Sequence, residues 1–396
     1  MLAVYLSPVY ILINFYFARW LLRWLKACNT VTSHPCIKYP VIGIYIFFAS
    51  SILTGFLLPH CFLERLLKRI GNYWYGVTLY TALTIITADI IRNILKRCRF
   101  INKEKLHSRK TFVISGAVCL IIIAAASLYG VINARIIRTT SYEITVDKPS
   151  ASGQFNIVLA ADLHMGYNIG CSHIRQMVDK INACNPDLVV IAGDIFDNDY
   201  DALDNPDELI EILSGIKSKY GVYACYGNHD IKEKVLAGFT FKNKNEKPVS
   251  DVRMDEFLEK AGIKLLKDEY VLIDDSFYLY GRPDAERPGR DITVRKTPEE
   301  IVSRLDTSKP IIVIDHEPKE LSELSAAGVD IDLCGHTHDG QLFPLNIIND
   351  IIWENPCGYL KKGEMSNIVT SGVGLYGPFM RVGTIPEICS IKVNFR

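Results

Sequence analysis

The sequence predicts an α/β protein in two parts: an α-helical membrane region of four spans over residues 1–135 and, after a linker at 136–152, a layered domain over 153–396. Three observations predict this. The chain of 396 residues carries 44 acidic and 44 basic side chains, yet its mean hydropathy is +0.14, so apolar residues must be concentrated somewhere, and they fall before residue 135. From about Ser141 onward, short β-rich runs alternate with amphipathic stretches, as in α/β layer architectures. Residues able to bind metals stand just beyond one expected strand after another.

The apolar stretches are Leu2 to Phe17, Pro40 to Leu58, Tyr73 to Ile91 and Thr111 to Ile132, each near the roughly 20 residues that cross a bilayer. Val41 to Leu58 and Phe112 to Asn133 hold no charge, whereas a core helix of that length carries a polar stripe. Pro8 and Asn14 interrupt the first stretch, and Asp89 near the end of the third belongs at the interface or inside the helix bundle. No positive segment precedes the first stretch and no small-residue cleavage pattern comes after it, so it is expected to remain as a span. Eight Lys and Arg lie between spans three and four and four between spans one and two, against five on the opposite side. By the positive-inside rule, both termini and everything after Ile132 are expected outside the cytoplasm.

In the layered part, Phe155 to Ala161 reads as a buried strand. Ser172 is expected to cap a helix with Ile174, Met177, Val178 and Ile181 on one face, ending near Asn185-Pro186. Leu188 to Ala192 is the next strand. A helix starting at Pro206 carries Leu209, Ile210, Ile212 and Leu213 and is expected to stop at Gly221. Further strands are expected at Val222 to Tyr226, Tyr270 to Ile273, Phe277 to Tyr280, Pro310 to Ile314 and Ile331 to Leu333, with helices at Met254 to Ala261 and near Lys319 to Ala326. The loop Phe239 to Val249, with Lys242, Lys244, Glu246 and Lys247, reads as a solvated insertion. Cys171, Cys184, Cys225, Cys334, Cys357 and Cys389 show no metal-type pair spacing, and most are expected to be small buried hydrophobes.

The chemistry is concentrated just past the carboxyl end of each expected strand. The clusters are Asp162-Leu163-His164, Gly193-Asp194 with Asp197, Gly227-Asn228-His229-Asp230, Asp315-His316 and Gly335-His336-Thr337-His338. Strand carboxyl ends converge on one edge of a sheet, where open α/β folds place their sites. Of six histidines after residue 150, only His173 lies outside these clusters. Carboxylates mixed with imidazoles and an Asn carbonyl suit Mn, Fe or Zn better than Ca. A pair of metals needs a bridging ligand, and Asp194 behind a glycine fits that part. Such a pair lowers the pKa of a shared water, binds phosphoryl oxygens and stabilises an in-line transition state. His229, beside a ligand, is placed to protonate a leaving oxygen or bind developing charge, with Asp230 as its expected orienting partner.

At these residues the chain resembles the calcineurin-like metallophosphoesterases, whose pattern is D-x-H, G-D-x-x-D, G-N-H-[DE], H and G-H-x-H. Every element is present, in order, from about Asn156 to Asp339. The resemblance implies a two-sheet β-sandwich flanked by helices and two divalent metal ions. Asp162, His164, Asp194 and His338 would hold one; Asp194, Asn228, His316 and His336 would hold the other. It also gives His229 the leaving-group role and places Asp197 behind the ligands. The tail is similar to a bacterial membrane-attached subgroup, in which a glycine commonly stands at the position of Asp339. Arg381 reads either as a phosphate contact or as an ordinary surface arginine.

The function expected is a membrane-anchored phosphoesterase that cleaves a phosphodiester or pyrophosphate by attack of a metal-bridging hydroxide. Its substrate is a phosphorylated small molecule or lipid, as in an envelope precursor. The competing reading is a membrane sensor or transporter whose soluble domain only binds a phosphorylated ligand; Asp89 as the sole acid in the spans gives a transport path little support. Balanced charge supplies no basic footprint for nucleic acid, and none is expected as a partner.

Overall fold

A computed structural model describes residues 2–149, 153–233, 235–236, 239–240 and 249–396. Lys242, Lys244, Glu246 and Lys247 of the expected polar insertion lie outside them. The chain divides into two compact units: Met1–Ile132 with Val235–Lys242 and Gly377–Met380, and the remainder.

The first unit is helical: α1 (Leu2–Cys28), α2 (Pro35–Leu57), α3 (Phe62–Arg97), α4 (Lys103–His107) and α5 (Arg109–Asn133). Three of these, α2, α3 and α5, are long and apolar enough to cross a membrane. Their large apolar side chains point outward: Ile44, Phe47, Ile114 and Ile121 are all about half exposed or more. That inverts the arrangement of a water-soluble bundle, and backbone groups satisfied within each helix make it tolerable in lipid. A capping box, with Cys61 and Glu64 each accepting from the other's backbone N–H, starts α3, and Lys96 and Arg97 end it. Gly71 lets α3 approach α2 closely, since a Cβ there would lie 2.7 Å from Ile52 Cα. Asp89, in α3, accepts a short hydrogen bond from Tyr16 of α1.

The second unit holds two six-stranded sheets. The strands in chain order are β1 (Arg138–Val146), β2 (Gln154–Ala160), β3 (Leu188–Ala192), β4 (Val222–Cys225), β5 (Val235–Leu236), β6 (Phe239–Thr240), β7 (Ile263–Leu265), β8 (Glu269–Ile273), β9 (Phe277–Gly281), β10 (Ile311–Ile314), β11 (Ile331–Cys334), β12 (Gly358–Lys362), β13 (Met365–Val369) and β14 (Glu387–Phe395). One sheet runs β1-β14-β2-β3-β4-β7 and the other β12-β13-β11-β10-β9-β8; β5 and β6 form a separate hairpin in the first unit. Strands β2, β3, β4 and β7 are mutually parallel, as are β9, β10, β11 and β13. Parallel strands buried on both faces read as continuous apolar runs, as Leu188–Ala192 does. Ile157, Leu159, Leu188 and Val190 of one sheet and Leu279, Ile312, Ile314 and Leu333 of the other share one core, which makes the pair a sandwich.

Helices α6 (Cys171–Ala183), α7 (Pro206–Ser214), α8 (Val252–Lys260), α9 (Pro298–Val302), α10 (Leu321–Ala327) and α11 (Leu345–Ile352) complete the unit. Three expectations are corrected. Ser172 lies inside the first turn of α6, and Gly170, without a side-chain cap, occupies the position before it. Helix α7 stops at Gly215, whose N–H reaches the Ile212 carbonyl; Gly221, at φ +96°, serves the turn into β4 instead. Most of the stretch 136–152 is no linker. Arg138 to Val146 pairs in parallel with Glu387 to Phe395, and only Ile144 and Val146 are fully buried, so the strand lacked an apolar run.

Candidate metal centre

The loops after β2, β3, β4, β10 and β11 carry the metal-type residues, and the topology brings them together at the carboxyl ends of both sheets. The backbone there is unusual. Asp162, His164, Asp194, His336 and His338 all have φ between 45° and 73°, a left-handed region that costs a non-glycine residue roughly 1–3 kcal/mol unless its surroundings impose it. Gly193 precedes one of them at φ +78°, and a Cβ on it would lie 2.6 Å from His316 Nδ1. A Cβ on Gly335 would meet Ala161 Cβ at 2.4 Å.

Two sets of donor atoms result. In the first, His164 Nε2 and His338 Nε2 are 3.0 Å apart, with Asp162 Oδ1 3.9 Å from His338 Nε2 and Asp194 Oδ2 3.7 Å from His164 Nε2. In the second, Asn228 Oδ1 lies 3.1 Å from His316 Nε2 and 3.0 Å from His336 Nδ1, those two nitrogens are 3.1 Å apart, and Asp194 Oδ2 is 3.1 Å from His316 Nε2. Donors about 2.1 Å from one ion stand about 3.0 Å apart at right angles and up to about 4.2 Å when opposite, so the second set has right-angle spacing and the first fits an ion at wider angles. The carboxylate of Asp194 belongs to both. All seven residues expected to ligate are therefore brought together.

The groups behind them fix which ring nitrogen faces inward. His316 Nδ1 meets the Ala192 carbonyl at 2.9 Å, leaving Nε2 for the second set. His336 is turned the other way: its Nε2 lies 3.3 Å from Glu317 Oε1, so Nδ1 faces in. Asp162 accepts from the His336 backbone N–H at 3.0 Å on both oxygens. Asp197 Oδ1 stands 3.6 Å from His164 Nδ1 and 3.8 Å from His229 Nδ1.

Asp230 does not orient His229. Its two oxygens accept from the Phe196 and Gly227 backbone N–H groups, each at 2.8 Å, so it holds the loop and faces away from the ring. The partner of His229 Nδ1 is Asn198, through a short hydrogen bond, while the His229 N–H donates to Asp194 Oδ1 at 2.7 Å. Asp315 also turns from the centre, toward Arg282 Nη1 at 2.6 Å and Arg295 Nη1 at 3.0 Å. Arg381 is fully buried and donates to the carbonyls of Ser371 (2.6 Å), Gly372 (3.1 Å) and Gly374 (2.9 Å), which excludes both readings given to it from sequence. Asn198, Glu317, Tyr376, whose ring centroid is 5.1 Å from that of His229, and Trp353, at 5.3 Å from His336, escaped the sequence reading. For Glu317 a signal existed, since it directly follows His316.

Electrostatics divide the imidazoles of the centre into two pairs. Burial pushes the Asp162 carboxyl up to about 6. Burial would raise Asp194 as well, but His316 and His229 beside it hold it well below the usual carboxylate range. Burial pushes His336 down to about 3, helped by His316, and drives His338 well below its usual value, helped by His164. Against burial, which would lower them, Asp197 raises His164 and Asp194 holds His316 well above its usual value, so a metal entering those positions displaces protons, since it needs neutral imidazoles and ionised carboxylates. The donor chemistry thus fits divalent ions without any thiolate.

Residues 155–340 match the family model of the calcineurin-like phosphoesterases. The chain carries a calcineurin-like phosphoesterase domain. A Danio rerio transmembrane protein with metallophosphoesterase domain is 31% identical over 293 residues, which are 70% of this chain and 62% of that protein. A metallophosphoesterase of Campylobacter jejuni is 29% identical over 69% of this chain and 68% of its own, and one of Aquifex aeolicus 26% identical over 67% and 95%. The match thus spans less than two thirds of the Danio rerio relative. The metallophosphoesterase resemblance and the two-sheet sandwich expected from the sequence are borne out, as are membrane-type helices at three of the four expected spans. The family is one of metal-dependent phosphoester hydrolases using divalent metals.

Proposed function

We propose that this metallophosphoesterase holds two divalent ions, Mn, Fe or Zn, and hydrolyses a phosphodiester or pyrophosphate bond in a phosphorylated small molecule or lipid, with four spans anchoring it and the domain outside the cytoplasm. The observation that carries the reading is the sharing of Asp194 between two separate donor sets. Asp162, His164, Asp194 and His338 would hold one ion; Asp194, Asn228, His316 and His336 would hold the other. When bound, such a pair lowers the pKa of a shared water and offsets phosphoryl charge. His229, with Nδ1 bonded to Asn198, presents Nε2 to the leaving oxygen, which it protonates or stabilises. Asp194 accepts from the His229 backbone and so ties the position of that ring to the shared carboxylate. The left-handed backbone at five of these residues keeps the constellation preorganised.

The test is hydrolysis of bis-p-nitrophenyl phosphate and p-nitrophenyl phosphate by the full-length protein in detergent, with and without Mn, beside Asp194→Ala. Metal-dependent turnover that Asp194→Ala abolishes, faster on the diester, is the expected result. Absence of turnover by folded, metal-loaded protein on both esters and on bilayer phospholipids would favour the ligand-binding alternative.

A further inference from the structure

In the helical unit, α1, the turn after it and α2 enclose a groove of about 980 Å3, at the upper end of the roughly 300–1,000 Å3 of ligand sites. The α1 residues along it recur every three or four positions from Ser7 to Lys26, as one helix face does, and Ser7 to Leu22 alone covers about 22 Å at 1.5 Å per residue. That exceeds one leaflet, about half of a hydrocarbon core of roughly 30 Å.

Two features give the groove a chemistry. Its inner polar groups are closed on one another: Tyr45 Oη donates to Asn14 Oδ1 at 3.0 Å, Asn14 Nδ2 to the Tyr10 carbonyl at 2.9 Å, and Tyr10 Oη to the Ala49 carbonyl at 3.0 Å. An occupant of the body therefore meets an apolar wall that includes Ile11, Phe15, Ile42 and Ile46. Cations, by contrast, gather at one end. Arg19, Arg23 and Lys26 lie toward the end of α1 and Lys38 in the first turn of α2, and only Asn29 to His34 join the two helices. No carboxylate lines the groove, and among the described residues none of the four cations has one within 4.0 Å. The hydroxyl-bearing Thr32 and Ser33 line the same end.

An apolar channel longer than a leaflet, closed by four unneutralised cations and two hydroxyls, matches one class of molecule. We infer that the groove binds one anionic phospholipid, its acyl chains along the apolar wall and its phosphate among Arg19, Arg23, Lys26 and Lys38. The groove shares no residue with the metal centre, and its occupant is a bound lipid, not the hydrolysed substrate.

The experiment is native mass spectrometry of the full-length protein released from micelles after exposure to equimolar dioleoylphosphatidylglycerol and dioleoylphosphatidylcholine. The expected result is one retained phosphatidylglycerol, favoured about tenfold or more over the zwitterionic lipid. The triple variant Arg23→Gln, Lys26→Gln, Lys38→Gln should bring that ratio close to one, and Ala18→Trp, which fills the groove, should lose both lipids. Should Ala18→Trp fail to give a monodisperse protein, the charge variant decides. Equal retention of the two lipids by the unaltered protein, or a preference unchanged in the charge variant, overturns the inference. Complete displacement of the lipid by millimolar glycerol phosphate also overturns it, because the site would then be one for a soluble phosphate ester.

Discussion

Asp332, in the middle of β11, is fully buried, and replacing it with Asn should stabilise the phosphoesterase unit progressively above about pH 4, with the full gain above pH 7. Its Oδ2 accepts from Asn367 Nδ2 at 2.9 Å and from Cys334 Sγ at 3.3 Å, while Oδ1 has no hydrogen-bond partner. Burial, reinforced by the charge of Asp315, pushes the Asp332 carboxyl up to about 7. The unfolded chain titrates near 3.9, so between about pH 4 and pH 7 the folded state keeps a proton that the unfolded state has lost. Each unit of pH in that window lowers stability by about 1.4 kcal/mol, and the loss levels off above pH 7 at roughly 4 kcal/mol. Asn keeps the shape and removes the titration. At roughly 2–4 °C per kcal/mol for a domain of this size, Asp332→Asn should raise Tm by up to about 8–16 °C at pH 8 and change it little at pH 4. Calorimetric melting of the full-length protein in detergent at both pH values measures this. An equal shift at the two pH values, or none at pH 8, would refute the reasoning.

Three further substitutions probe other parts. Asp315→Ala strands the fully buried Arg282 and the largely buried Arg295, leaving Glu320 as their remaining acid; denaturation should show a loss of about 3–5 kcal/mol. Glu317→Gln weakens the carboxylate that turns His336, and calorimetric titration with Mn should show one binding step weakened about 10–100-fold with the other retained. His229→Ala should slow diester hydrolysis by about 10²–10⁴-fold at unchanged metal content by elemental analysis; parallel loss of metal would instead make the ring a structural element.

The centre was legible in the sequence because each metal-type residue sits one to four positions beyond a short apolar run, and strand ends of parallel sheets converge. Leu188–Ala192 followed by Gly193-Asp194 is the clearest case. Partnerships across the fold were not legible. Asp230 adjoins His229 in sequence, yet successive side chains diverge, and the ring's real partner, Asn198, stands 31 residues away. Arg381 carried no local sign that irregular loop carbonyls at Ser371, Gly372 and Gly374 would need a buried donor. Strands β1 and β14 lack continuous apolar runs but alternate with a period of two, Tyr142, Ile144 and Val146 in one and Cys389, Ile391 and Val393 in the other, so both were legible as half-buried strands while their pairing across the chain was not. The left-handed backbone at the centre falls on Asp and His, types enriched in that region, but which of them adopt it is set by the surroundings and was not legible.

The insertion of β14 between β1 and β2 has a consequence for biosynthesis. Strand β1 pairs with β14 and with no other strand of its sheet, so it stays unpaired on the ribosome until Glu387–Phe395 has emerged. About 240 residues separate the two partners, a closure that local folding cannot anticipate. Throughout that interval β2 also exposes an open edge, a liability for aggregation. A nascent chain arrested before Glu387 should therefore be protease-sensitive in β1 and β2, even though every metal-type residue of the centre has already been translated.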